Sequence, residues 1–294
     1  MSVIIDTERG KKVADLLYRV FSTKGIHGKT EMPEDMIPKG VEKGSIDHIL
    51  FITLTVSIDY QRDATLLWES SRKTFEDAET KYLFVPKLLY ETPIEKIILD
   101  MQKYKLSKKI EKDANIWRGI GVTFYKRWQG NPFKFLEYCD WDAENVLKYL
   151  KYLKYDFPYL RGPKISSLWL RMLRDNVGIQ LKNLEKIPIP VDIHIARATL
   201  TTGVIRGKFR DKFNKIFEHI RKAWFESVKG LRLKDREMIS LDIDEPLWIL
   251  SKYGCRNRDE ITGDCLLYER CEAKEYCVKG MVRIKDGILE LETQ

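Results

Sequence analysis

Two neighbouring segments carry residue types suited to chemistry on a sugar–phosphate chain. In FPYLRGPKISSLWLRML (157–173), one helix ends at Tyr155, a tight Pro/Gly turn follows, and a second, amphipathic helix begins around Lys164. Gly162 supplies a residue able to take φ > 0, and Pro163 suits the first turn of the coming helix, where its missing N–H costs nothing. Helix, turn and helix together expose backbone N–H groups at a helix start, a seat for a phosphate oxygen. Downstream, IPIPVDIHIARATLTTGVI (187–205) has two prolines that force an extended approach, so Asp192 stands at a helix N-cap, with His194 and Arg197 on the helix and Gly203 near its end. Most aspartates so placed are caps and nothing more. A carboxylate fixed by backbone N–H groups beside a phosphate-gripping turn is nonetheless suited to stabilising a cationic deoxyribose or activating a water or an amine.

The third constellation is a set of thiols. Cys255, Cys265, Cys271 and Cys277 are separated by nine, five and five residues, while Cys139 stands alone. In a reducing compartment such crowding favours metal ligation over disulfides. Four thiolates in one loop suit a [4Fe–4S] cluster. Tetrahedral Zn²⁺ is the alternative, although these gaps are wide for it. Two disulfides are another, since the abundance of Lys and Glu with many Ile and Tyr suits a thermophile, whose intracellular proteins carry them.

The elements that must position these groups read as helical. Apolar residues recur at spacings of three and four with charges between them. Residues 45–78 form one long or two consecutive helices, Pro86 and Pro93 mark breaks, a helix ends at Gly130 before Pro132, and Asp142 caps the next. MVRIKDGILELE (281–292) alternates around Asp286-Gly287 as a small hairpin. Residues 206–236 are dense in Lys and Arg, with Phe209, Phe213, Phe217 and Trp224 at helical spacing, and read as an amphipathic helix with aromatics inward. Trp68, Trp117, Tyr125, Trp128, Trp141 and Trp169 are mostly expected in the core. A boundary is expected near Asp235, dividing a helical core, 1–235, from a Cys-rich loop and tail, 236–294.

Net charge is +8 with a pI near 9.0, which directs attention to an anionic partner. No apolar run reaches the roughly 18 residues needed to span a bilayer, and the N-terminus lacks a signal-peptide pattern. The expectation is an intracellular monomer with no membrane partner.

Residues 160–204 resemble the helix-hairpin-helix–Gly/Pro–Asp superfamily of base-excision DNA glycosylases, in which a hairpin precedes a Pro-Val-Asp segment leading into a helix. Pro190-Val191-Asp192-Ile193-His194-Ile195 is similar to that segment in endonuclease III, and Ile187–Asp192 to the archaeal 8-oxoguanine glycosylases. ILFITLTVSIDYQRDA resembles the superfamily's early core helix, with Gln61 near its glutamine, and NIWRGIGVTFYKRWQGNPFKFLE the helix leading to its Gly-x-Pro-type turn. The resemblance implies a mainly α fold, with two helical subdomains, a DNA cleft between them and a Cys-rich C-terminal loop. It implies an N-glycosylase, with or without lyase action, that flips a damaged base from double-stranded DNA, with Asp192 as the catalytic carboxylate. The Schiff-base lysine falls on Lys164 if the archaeal enzymes are the guide, and on Ser166 if the usual Leu-Pro-Gly-x-Gly-x-Lys pattern is. This sequence departs from that pattern at Arg161 and Lys164. Arg161, Gly162, Lys164, Ser166, His194 and Arg197 would face DNA. DEPLWILSKYGC resembles the approach to the iron–sulfur loop of endonuclease III, which would present Arg256 and Arg258 to DNA. A non-catalytic DNA-binding protein using the same hairpin as a phosphate clamp is the competing expectation.

Overall fold

The computed structural model of the chain describes residues 2–153 and 155–294. β1 (Ser2–Ile5) and α1 (Thr7–Thr23) come first. α2 (Ile46–Ser57), α3 (Ala64–Glu76), α4 (Pro86–Glu91), α5 (Ile94–Asp100), α6 (Ile110–Trp128), α7 (Pro132–Tyr138), α8 (Ala143–Tyr152) and α9 (Pro163–Met172) follow. Then come α10 (Ile193–Thr201), β2 (Ile205–Lys212), α11 (Phe217–Ser227), α12 (Asp244–Ile249), β3 (Gly280–Lys285) and β4 (Ile288–Thr293). The chain is mainly helical, and none of the described helices is long and apolar enough to cross a membrane.

Two compact units emerge, one of residues 1–31 with 187–294 and one of residues 32–186. The division is not the one expected at Asp235. Arg236 grips Asp242 with two hydrogen bonds of 2.6 and 2.7 Å, and the Met238 N–H bonds the Leu231 carbonyl, so both sides of that position share one unit. The N-terminal segment returns to the same unit because β1 pairs with β2 and α1 packs on α11. At that helix crossing Gly10 is needed for room, since a Cβ there would lie 2.1 Å from the Ser227 hydroxyl.

The sheet is antiparallel with order β1-β2-β4-β3. Its β3–β4 hairpin turns at Asp286-Gly287, with φ of +50° and +76°, the two-residue turn that this pair favours. β2 corrects the helical reading of residues 206–236. Strands on both flanks claim Ile205–Lys212, and its two-residue period puts Ile205 and Phe209 inward, which aromatic spacing alone concealed. The helix begins only at Phe217. It buries Ile220, Ala223 and Trp224, whereas Phe213 and Phe217 are half-buried and pack edge to face.

In the 32–186 unit, α2 is buried from His48 to Ser57 and forms the axis of the core. Phe51 packs among Trp68, Phe75 and Phe84, and Thr53 accepts a 2.9 Å bond from the Trp169 indole, tying α2 to α9. Trp68, Trp117, Trp128 and Trp169 are all core residues, as expected of most of the aromatics. The fully buried Arg171 pairs with Glu34 and pins the far part of α9. Desolvated ions of this kind are costly to separate.

His48 is buried, and its Nδ1 accepts the Gly44 N–H at 3.2 Å. Burial, assisted by Lys43, lowers its pKa from 6.5 to about 4. The folded state thus favours the neutral ring, so the stability it lends is complete above the unfolded pKa of 6.5 and drains away as pH falls towards 4. Urea unfolding at pH 7 and pH 4.5 is expected to show an acid loss about 2–3 kcal/mol greater in the wild type than in His48→Gln. Equal losses would mean that this ring is not the acid-sensitive group.

Candidate active site

In the 32–186 unit the hairpin is built on aromatic anchors. α8 ends at Tyr152, earlier than the expected Tyr155, because Leu153 leaves helical geometry at φ −92° and ψ 52°. Phe157 and Leu160 are fully buried, Phe157 against Phe124, Trp128 and Phe135. The positive φ expected at Gly162 belongs instead to Tyr159 (+63°), while Gly162 has φ −65°. Gly162 is favoured for closeness, since a Cβ there would come within 3.2 Å of the Tyr159 carbonyl oxygen. Pro163 opens α9 as its first residue.

Arg161 is exposed beside this turn. Ser166 is not available to DNA. It is buried, and its hydroxyl donates to the Gly162 carbonyl at 2.9 Å, the back-bonding of a helical serine. Lys164 is half-exposed on the first turn of α9, its Nζ 3.5 Å from the Asp59 carbonyl oxygen and 3.8 Å from the Asp59 carboxylate. Asp59 is buried just beyond α2. It was not foreseen, because 105 residues separate it from Lys164 and no local spacing rule spans that distance.

A second unforeseen feature flanks the turn. Tyr60 and Tyr159 stack with centroids 4.8 Å apart, and Lys112 lies 4.4 Å above the Tyr159 ring and 5.1 Å above Tyr60. The buried Asp113 accepts the Lys108 and Lys109 backbone N–H groups and the Tyr60 hydroxyl, which fixes the ring at the start of α6. Burial, then the bond to Asp113, raises the Tyr60 pKa, so the phenol stays protonated. Gln61 is exposed at φ +53° and accepts from Lys109.

In the other unit, Ile187, Ile189 and Val191 are buried and alternate with Pro188, and the Ser240 hydroxyl bonds the Ile187 carbonyl at 2.8 Å. This extended run delivers Asp192 to the N-cap of α10. Its Oδ1 accepts the His194 N–H at 2.8 Å and the Ile195 N–H at 2.9 Å. His194 packs on Trp248 and meets Ser251 Oγ at 3.3 Å, a buried hydroxyl that Arg197 also approaches at 3.5 Å. Desolvation lowers the Arg197 pKa, opposed by the nearby Cys255 and Glu260.

All four clustered cysteines line one cavity of about 20 Å³, together with Thr201, Leu250 and Ala273. None is in a disulfide. Burial pushes the Cys255 thiol up to about 12 and the Cys271 thiol to about 11, so thiolates at these two positions would need compensating cations. The surroundings suit such a group. The Thr201 hydroxyl donates to Cys255 Sγ at 3.1 Å, and the buried Arg258 leaves its Nε–H without a partner among the described residues. Among those residues, no three His, Cys, Asp or Glu side chains converge closely enough for a single ion. Arg258 itself is not presented to DNA, because its guanidinium donates to the carbonyls of Asp259, Val278 and Gly280 and ties the loop together. Cys139 is buried apart from this loop, its thiol pushed up to about 12.

Residues 164–280 match the model of the family described as AGOG: N-glycosylase/DNA lyase, a helix-hairpin-helix type of base-excision enzyme. The matched stretch begins at Lys164, includes Asp192 and ends just beyond Cys277. No curated protein matches the chain.

The cap separates the mechanical from the chemical role of Asp192. Asp192→Asn is expected to keep the wild-type unfolding midpoint, while Asp192→Ala loses about 1 kcal/mol. Equal destabilisation by both would show that the negative charge, not the cap, holds α10.

Proposed function

We propose, from the premise that residues 164–280 carry an N-glycosylase/DNA lyase domain, that the chain excises a damaged base from double-stranded DNA, with Asp192 as the catalytic carboxylate and Lys164 as the reacting amine. The observation that carries this reading is the capped carboxylate. Asp192 is fixed through one oxygen by two backbone N–H groups, so its charge needs little reorganisation when a cation forms at C1′. The N–H groups at the start of α9 and the exposed Arg161 would grip phosphates, and the target nucleotide would leave the stack to reach the acid.

In the reaction the C1′–N bond breaks and its electron pair leaves with the base, which takes up a proton. The neutral Lys164 amine forms the new bond at C1′. Loss of its protons and opening of the sugar ring give the Schiff base from which the strand is cut. Asp59 restrains the lysine from the protein side, and the Asp192 carboxylate shields the positive charge on the sugar. Oxidised guanine leads the lesions to be tried, because the Ile187–Asp192 run resembles that of the archaeal 8-oxoguanine enzymes.

Borohydride trapping on a panel of lesion duplexes tests this. The wild type is expected to release base and form a covalent adduct, and Lys164→Ala to form none. Asp192→Asn is expected to bind DNA while base release falls about 10²–10⁴-fold. An adduct persisting in Lys164→Ala would remove the lysine from the mechanism.

The same reading assigns an iron–sulfur cluster to Cys255, Cys265, Cys271 and Cys277. When bound it would supply stiffness to the loop after α12, with no part in the bond changes. Protein purified without oxygen is expected to hold about four iron atoms per chain, lost in Cys265→Ser. Zinc at one per chain instead would overturn the assignment.

A further inference from the structure

Asp59 stands two residues beyond the end of α2, where its N–H bonds the Val56 carbonyl, and its side chain is buried. Lys164 reaches it from α9, with Nζ 3.8 Å from the carboxylate and 3.5 Å from the backbone carbonyl oxygen of the same residue. Arg62, in the loop before α3, is attracted to Asp113 first and then to Asp59, and its guanidinium donates to the Leu106 carbonyl at 2.7 Å. Lys108, Lys109 and Lys112 are turned instead to Gln61 and to the Tyr60 and Tyr159 rings. Two influences act against a charge on the Asp59 carboxylate. It is withdrawn from water, and it lies at the end of a helix where the backbone dipole is negative. The same helix end favours a cation, so Lys164 arrives as an ammonium while water still reaches its side chain, which is 29% exposed.

We propose that Asp59 is the group that takes the proton of Lys164 once DNA covers the pair. An ammonium and a carboxylate closed off from water are less favourable than the neutral amine and acid, because each ion has lost its hydration. In this step an Nζ–H bond of Lys164 breaks and its electron pair stays on nitrogen, as the lone pair that attacks C1′. The proton bonds to a carboxylate oxygen of Asp59, and the pair is neutral overall before and after. The proton returns when water later frees the lysine from the sugar. Before DNA arrives, the same pairing holds the amine as an unreactive cation. This role rests on the reading of Lys164 as the reacting amine and says how that amine becomes neutral.

The test uses the full chain with and without DNA. On a lesion duplex, single-turnover formation of the borohydride-trapped adduct is followed between about pH 6.5 and 9, below the ordinary lysine pKa of about 10.4. The wild type is expected to stay level within about twofold, because its proton has an internal acceptor. Asp59→Asn is expected to be at least about tenfold slower at neutral pH and to gain about tenfold per pH unit, as a lysine neutralised only by solvent does. A variant profile parallel to that of the wild type would overturn the proposal. A wild-type rate that itself climbs tenfold per unit would do so too, and needs no variant should Asp59→Asn fail to fold. Without DNA, acetic anhydride followed by peptide mass spectrometry reads the amine directly. Lys164 is expected to be acetylated several-fold faster in Asp59→Asn, since the anion that favours its ammonium form is gone. Equal rates would overturn the pairing. Faster acetylation in a chain that releases no base from any lesion duplex would sink the excision reading, and the proton transfer with it, while leaving the ion pair established.

Discussion

The bond pair from His194 and Ile195 to a single oxygen of Asp192 is the constraint on which the chemistry proposed for this chain turns. A helix start has unsatisfied N–H groups and the positive end of a dipole, so it stabilises negative charge and fixes its direction. The extended Ile187–Val191 run and the buried face of α10 are what make the cap rigid. Were the helix free to fray, the carboxylate would wander through several ångströms and lose its value as a fixed counter-charge.

The parts of the site that were legible in the sequence are those set by local rules. A pair of prolines followed by Asp and an apolar period is enough to place Asp192 at its cap, and Asp286-Gly287 is enough to close the β3–β4 hairpin. The grouping of four cysteines in a short loop also survives translation into three dimensions as one cavity. The illegible parts depend on distant chain. The partnership of Lys164 with Asp59 bridges 105 residues, and the left-handed residue of the hairpin is Tyr159 because its ring finds Tyr60, not because of its own type. β2 was missed for the same reason, since its neighbours come from the two ends of the sequence.

Burial also sorts residues that composition treats alike. Arg171, Arg258 and Arg197 are all arginines in partly or wholly dry surroundings, yet they do different work. Arg171 is matched by Glu34 and stiffens α9. Arg258 is matched by carbonyls and staples the cysteine loop. Arg197 has neither match; it approaches the Ser251 hydroxyl at 3.5 Å and lines a pocket with Arg256 and Glu260. A count of basic residues would assign all three to an anionic partner; the hydrogen-bond partners leave one, with Arg256 beside it.

α10 is short, and both of its ends are engaged. At one end it carries the acid. At the other, Thr201 donates its hydroxyl to Cys255 and accepts the Val278 N–H on its carbonyl, and the next turn passes Gly203, where any side chain would strike Val278. The nine-residue rod is thus a lever between a thiol loop and a carboxylate. A change at the sulfurs is thereby mechanically connected, through a single short helix, to the backbone N–H groups that hold the carboxylate.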